Sequence, residues 1–242
     1  MTSPDTADAD LTALPPAELE RMAAAADDLL AVVEEAAARG SHPVLDLVGD
    51  APFTIGDHYP RDDVYDAASG AGYYYHAHPP GPRMIGEGWD ELDEHGHFHL
   101  FVNRTAVPKG VAPWQRPGRP VKGWGVAHLG AIVIDRQGVP SQLFTLHPRM
   151  SQEWLYPAPV VLGLFDRFVF ADPSPATRWV TAMTVLFRPH FAALLHERDR
   201  LLAPHLADRS RRSDDLDIVS VAAIDVDRQI AAVDEALRVA RR

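Results

Sequence analysis

The chain has 242 residues, of which 46% are hydrophobic, an ordinary share for a globular protein with a real core. Its formal net charge is −11 at pH 7, which argues against nucleic acids and anionic membrane surfaces as partners. It contains no cysteine, so disulfides, thiolate metal sites, iron–sulfur clusters and cysteine nucleophiles are excluded. Residues 1–14 are polar and acidic and lack the basic start and apolar stretch of a signal peptide. We therefore predict a disordered tail over residues 1–14, a single domain over residues 15–242 and a cytoplasmic location.

The N-terminal part begins with helical periodicity. Apolar residues at helical spacing predict a helix from Pro16 to Arg39, and Gly40 is placed to end it. Residues 42–48 form a short apolar piece that is interpreted as a strand or a loop. Residues 51–72 have little periodicity, and residues 79–91, rich in Gly and Pro, are predicted to be a loop.

The middle of the chain has the alternating pattern of β-strands. Four strands are predicted from it, over residues 73–78, 96–103, 124–135 and 141–147. Because turn residues separate the last two, they are a hairpin candidate, and the region is predicted to be an antiparallel meander.

The C-terminal part returns to helical spacing. Helices are predicted over residues 158–170, 175–203 and 226–241, with a short strand at Ile218–Ile224. Pro189 should kink or split the second helix because proline has no amide hydrogen, and Asp225 should cap the last. The predicted fold class is α+β, with an antiparallel sheet of about four to six strands flanked by N- and C-terminal helices.

Two histidine runs carry the functional signal. Five of the chain's 12 histidines lie in Tyr73–His78 and Glu94–His99. Successive side chains of a strand point to opposite faces, so the histidines of each run share one face of their strand. If the two faces align, four or five imidazoles converge, and neutral imidazole is the commonest metal ligand in proteins. The predicted ligands are His76, His78, His97 and His99; the alternative is a solvated or hydrogen-bonded polar face.

Two further histidines are candidate ligands. His95 stands at the entrance of its strand, where it can bind a metal or support the residues that do. His128 lies on the third predicted strand, and simple alternation puts it on one face with Val126 and Gly130. A histidine packed in the core is the alternative there.

The metal is predicted to be a transition ion. Imidazoles with one carboxylate or none fit iron(II), copper, zinc, manganese or nickel. Two histidines and one carboxylate would favour iron(II) and dioxygen chemistry, whereas an all-histidine set suits copper or zinc equally well. The nearby carboxylates, for which a surface role is the alternative, are Glu87, Glu91, Asp93 and Glu94.

Three side chains are candidate catalytic residues. Glu94 is one residue out of step with the histidines and could join them only at a bulge. Tyr74 shares the parity of His76 and can donate a hydrogen bond into the site, with core packing as the alternative. Arg104, at the end of the second strand, can hold an anionic group bidentately or form a surface ion pair. A fourth side chain, that of Glu153, lies beside two aromatic residues and can cover the site or pack in the core.

The histidine runs resemble two known patterns. Gly70, His76 and His78 are similar to the first motif of the cupins, and the residues from Gly88 to Asn103 are similar to their second. The resemblance implies a metal held on antiparallel strands, with a cupin-like half barrel as one form of the sheet. The proline of the second motif is Glu94 here. Through Tyr73–His78, Glu94–His99 and Leu186–Pro189 the chain also resembles an uncharacterised bacterial family of unknown function.

The sequence thus predicts a metal-dependent enzyme acting on a small molecule, an oxidoreductase or oxygenase using non-haem iron or copper. A zinc-dependent hydrolase or lyase, with Glu94 or Glu153 as base, is the alternative. A metal-binding protein without turnover and a haem-binding module with one axial histidine also remain open. A small-molecule substrate is the expected partner, nucleic acid and membrane are not, and a homodimer is left open.

Overall fold

The structure is a computed structural model that describes residues 10–49, 52–78, 83–85, 88–90, 94–115, 125–151, 153–171, 173–207 and 217–242. Within those ranges, none of the helices combines the length and the apolar character that crossing a bilayer requires.

The centre of the fold is one open sheet. Its strands are β1 (Tyr59–Tyr65), β2 (Ala71–His76), β3 (Arg83–Ile85), β4 (Gly88–Asp90), β5 (Gly96–Asn103), β6 (Val126–Ile134), β7 (Pro140–Leu146) and β8 (Ile218–Ala223). Their order across the sheet is β1-β2-β5-β6-β7-β8-β3-β4. Every pairing is antiparallel except that of β3 with β8. The predicted meander is therefore present as β2, β5, β6 and β7.

Helices from both ends of the chain pack around this sheet, which confirms the predicted α+β class. They are α1 (Pro16–Ala37), α2 (Pro43–Val48), α3 (Pro148–Ser151), α4 (Ala158–Leu164), α5 (Pro175–Leu186), α6 (Arg188–Ala207) and α7 (Val226–Ala240). The helical region starting at residue 175 is divided at Phe187, next to Pro189, as predicted. Asp225 accepts a hydrogen bond from the Arg228 amide, which confirms it as the cap of α7.

The main core lies between the helices and one face of the sheet. Tyr73, Tyr75 and Phe98 are fully buried there, together with Leu19 of α1 and Trp179 of α5. The opposite face of the central strands carries a smaller cluster of buried residues, Ala131, Val133, Phe144 and Ile218. Both faces of β5 are therefore buried, and the two faces differ in chemistry rather than in exposure.

In the described part of the chain the sheet has eight strands, more than the four to six predicted. The three strands that were missed show no clear alternation of apolar and polar residues. β1 lies in the stretch without periodicity, and its register shifts between Tyr59 and Val64, which breaks the period-two pattern. The predicted loop at residues 79–91 is wrong at Arg83–Ile85 and Gly88–Asp90, which form the short strands β3 and β4. Three residues are too few to show a period.

Two predictions near the N-terminus also need correction. Residues 43–48 form α2 rather than a strand or a loop: Pro43 takes the first helical position and His42 Nδ1 accepts a hydrogen bond from the Val44 amide. Leu11–Ala13 form a 3-10 helix in which Leu11 is buried, so the packed chain begins inside the predicted tail. Residues 1–9 lie outside the described part.

Candidate metal centre

The strand register brings the two histidine runs together. β2 and β5 pair antiparallel with His76 opposite His97 and Tyr74 opposite His99. Directly opposed residues share a face, and His99 lies two positions from His97 on that face. The predicted alignment of the two histidine faces is therefore present.

Three imidazole nitrogens meet at this point. The Nε2 atoms of His76, His97 and His99 are 3.0 Å apart in each of the three pairs. His97 and His99 are almost completely buried, with 1% and 4% of their surfaces exposed. The atoms thus form an equilateral triangle inside the protein.

Three imidazole nitrogens this close together cannot all be hydrogen-bonded to one another. Each ring nitrogen of a neutral imidazole carries either a proton or a lone pair, so it can donate or accept but not both. Among three such atoms at least two must be alike, and that pair has no hydrogen bond between them. A cation bound by three lone pairs removes the conflict, and the cluster can therefore hold a metal ion.

The Nδ1 atoms of His97 and His99, which point away from the triangle, each contact another side chain. His97 Nδ1 donates to Glu94 Oε2 at 2.8 Å, and His99 Nδ1 lies 2.9 Å from His128 Nε2. Metal-binding histidines characteristically donate their second N–H to a carboxylate or another acceptor, which fixes the ring and leaves Nε2 for the ion. Glu94 is thus placed behind a candidate ligand rather than in the ligand triangle.

A bulge places His128 behind His99. Leu100 pairs with Gly130 but Phe101 pairs with His128, so Leu129 is an extra residue in β6. The bulge reverses the alternation, and the predicted sharing of one face by His128 and Gly130 is wrong. Gly130 faces the helices, where an added Cβ would lie 2.6 Å from Phe191 Cε1. His128 instead faces the histidine cluster and contacts His99.

His78 and His95 take different positions. His78 lies beyond the end of β2, and one nitrogen of its ring is within 4.8 Å of ligand atoms of His76 and His97. Its ring stacks with that of His97 at 5.2 Å. His95 is exposed, and its Nδ1 is 2.6 Å from the hydroxyl of Tyr75, which belongs to the helix-covered face. The structure therefore brings His78 to the cluster and places His95 outside it.

Burial controls the charges around the cluster. It lowers the pKa of His99 well below the ordinary value, and the neighbouring histidines lower it further. Burial, with Arg198 and His97 nearby, lowers the pKa of His128 to about 3. Both rings are thus neutral at physiological pH, as metal binding requires. Burial raises the pKa of Glu153 to about 7, although Arg198 opposes the shift.

Tyr74 and Arg104, the other two candidate catalytic residues, differ in their position relative to the histidine cluster. The Tyr74 ring lies 4.9 Å from that of His99, and burial raises the pKa of its hydroxyl, with Asp63 adding to the effect. Tyr74 therefore borders the cluster as a neutral phenol. Arg104 is exposed, with its guanidinium 4.3 Å above the ring of Trp154. Glu87, Glu91 and Asp93 lie outside the described residues.

Sequence reasoning missed two contributors to the site. His58 stacks on Tyr74 at 3.7 Å, lies edge-on to His76 at 5.6 Å and is held by Asp63, whose Oδ1 is 2.8 Å from its Nδ1. The irregular β1 register brings this pair together, and a single histidine outside any pattern gives no signal. The second is Phe144, whose ring lies 5.0 Å from that of His97.

Comparison with known proteins gives a family without an assigned activity. No curated protein matches the chain, and no solved structure matches it. The sequence does match the family described as Domain of unknown function (DUF6969) over residues 23–224, a span that includes every residue of the histidine cluster. This agrees with the resemblance to an uncharacterised family. The chain belongs to the DUF6969 family.

Proposed function

We propose that this chain is a metal-dependent oxidoreductase that uses a single non-haem iron or copper ion to act on a small molecule. The triangle of Nε2 atoms supports the proposal most directly. Three neutral imidazole nitrogens would suit a transition ion, since imidazole is a ligand for iron, copper and zinc alike. Their mutual separation of 3.0 Å would allow one ion to contact all three nitrogens.

His76, His97 and His99 supply the three neutral donors in this proposal. They would hold the ion and leave a coordination position open for substrate, water or dioxygen, with His78 as a further imidazole nearby. A bound iron or copper ion supplies one-electron and dioxygen chemistry. Tyr74, a neutral phenol whose ring lies 4.9 Å from that of His99, would donate a hydrogen bond to a bound small molecule.

The zinc hydrolase alternative is less well supported, because both carboxylates that could act as its base already have hydrogen-bond partners. A hydrolase needs a base near the metal-bound water. Glu94 is engaged with His97 Nδ1, and Glu153 accepts a hydrogen bond from the His128 amide at 2.6 Å. Both candidate bases are thus positioned behind histidines.

The test is metal analysis of untagged protein from iron- and copper-replete cells, followed by electron paramagnetic resonance and measurement of oxygen consumption. We expect close to one ion per chain and a redox-active signal. His97→Ala should abolish binding, whereas His190→Ala, which removes a buried histidine on α6, should retain it. Less than about half an ion per chain would reject the metal centre, and a spectroscopically silent zinc would favour the hydrolase.

A further inference from the structure

Glu153 is a buried carboxyl group that the proposed oxidoreductase chemistry does not use. Its side chain is 2% exposed, and it precedes α4 in a segment that lies against the start of β6. Within that segment the Trp154 amide donates to the Val126 carbonyl at 2.9 Å. Arg198 donates to the Tyr156 carbonyl at 2.7 Å and fixes the same segment from α6. Glu153 is thus held from two sides.

The acceptor atom of Glu153 is directed at the bulge. Its Oε2 accepts the His128 backbone amide at 2.6 Å. Across the strand, the register shift between Leu100 and Phe101 marks the bulge next to His128. A bulge leaves an amide outside the regular ladder, and a buried amide without an acceptor is costly. Glu153 therefore supplies the acceptor for the amide of a residue that borders the bulge.

The bulge determines the orientation of a ligand. It points His128 toward the cluster, where its Nε2 lies 2.9 Å from His99 Nδ1. The contact fixes the ring of His99, whose Nε2 belongs to the triangle. A continuous chain of contacts thus runs from the Glu153 carboxyl group through the His128 amide and imidazole to His99.

We propose that Glu153 is a positioning residue of the metal centre, which holds the β6 bulge so that His128 orients His99 for metal binding. The proposal rests on the proposed function, because it requires an ion at the triangle. It assigns Glu153 a role different from that of a general base or a cover over the site. It also predicts unequal ligands, since His97 is supported by a carboxylate and His99 by a neutral imidazole that depends on Glu153.

The test uses cobalt(II) as the probe in the full chain. In cobalt(II) proteins, the exchangeable N–H of each bound imidazole gives its own shifted proton NMR signal. We expect Glu153→Ala to weaken cobalt(II) affinity about 10- to 100-fold and to remove the His99 signal while the His97 signal persists. Glu153→Gln keeps an oxygen acceptor and should restore both affinity and signal.

Two variants separate positioning from general destabilisation. Asp66→Asn changes another carboxylate that accepts a backbone amide from a distant segment, that of Ala171 at 2.8 Å, and should leave cobalt(II) affinity and both signals unchanged. His128→Ala keeps the backbone amide and removes the imidazole, so it should reproduce the loss of the His99 signal even if Glu153→Ala does not fold. Unchanged affinity and signals in both Glu153→Ala and His128→Ala, or loss of the His97 signal as well, would overturn the positioning role. Wild-type protein that binds no cobalt(II) would instead reject the metal centre itself.

Discussion

The two faces of β5 are equally buried and serve different purposes. Phe98 and Leu100 on one face are fully buried against the helices. His97 and His99 on the other face have at most 4% of their surfaces exposed. Apolar side chains are satisfied by close packing alone. Imidazoles are not, because their nitrogens need hydrogen-bond partners or an ion. The same strand therefore stabilises the fold through one face and presents a histidine cluster that could hold a metal ion on the other.

The largest effect on stability is expected on the packed face. Phe98→Ala removes a ring that contacts Tyr75 and Trp179, with ring centroids 5.0 and 5.4 Å away. The cavity should lower the free energy of unfolding by about 3–5 kcal/mol, measured by urea titration of the metal-free protein. Phe101→Ala, at a half-buried position of the same strand, should cost clearly less. Equal losses would mean that the helix-covered face does not dominate stability.

The histidine face should contribute to stability mainly through the ion. At free cobalt(II) about a thousandfold above its dissociation constant, the free energy of unfolding should rise by about 4 kcal/mol. His97→Ala should lose this gain because it removes one of the three proposed donor nitrogens, and its metal-free form should be less stable than metal-free wild type because the ring is buried and bonded to Glu94. Thermal unfolding with and without a chelator measures both. A gain that persists in His97→Ala would show that the ion binds elsewhere.

The carboxyl group of Glu153, which bonds to the His128 amide, should make the stability of the protein depend on pH. The pKa of Glu153 is raised from 4.5 to about 7, so the folded state binds this proton more tightly than the unfolded state does. Its contribution is complete below the unfolded pKa and is lost as the pH rises through about 7, a change of about 3 kcal/mol. Glu153→Gln cannot ionise, so its stability relative to wild type should increase over that range. Urea titrations of metal-free protein at several pH values measure the difference, and the exposed Glu235→Gln should show no such rise.

Much of the fold was predictable from the sequence where apolar residues recur at the regular spacing of a strand or a helix. Gly96–Asn103 was predicted with the bounds that β5 has, and the helix division at Phe187 followed from Pro189. β1 was not predictable because its register shift hides the alternation. α2 was too short for a helical period, so its proline and its capping histidine were the available signals.

The site was predictable to the extent that parity is preserved along a strand. Alternation predicted that the histidines of each run share one face of their strand, and the hypothesis that the two faces align is confirmed by the pairing of His76 with His97. Counting by twos from Gly130 assigned His128 to the wrong face of the sheet. The extra residue in β6 moves every side chain on its N-terminal side to the opposite face. A glycine inside a strand is the usual sequence mark of such a bulge, and Gly130 is that mark here.

Gly130 offers the smallest and most local test of the difference between the faces. On the helix side an added methyl group would lie 2.6 Å from Phe191 Cε1, whose ring is fully buried. Gly130→Ala should therefore lower the free energy of unfolding by about 1–3 kcal/mol through overpacking. Gly163→Ala in α4, where an added Cβ meets no atom within 4 Å among the described residues, should instead stabilise by about 0.5–1 kcal/mol. If Gly130→Ala also shifts the His99 signal of the cobalt(II) protein, the bulge transmits strain from the packed face to the histidine face. If only stability changes, the Glu153 contact holds His128 in place, and the two faces of this strand act independently.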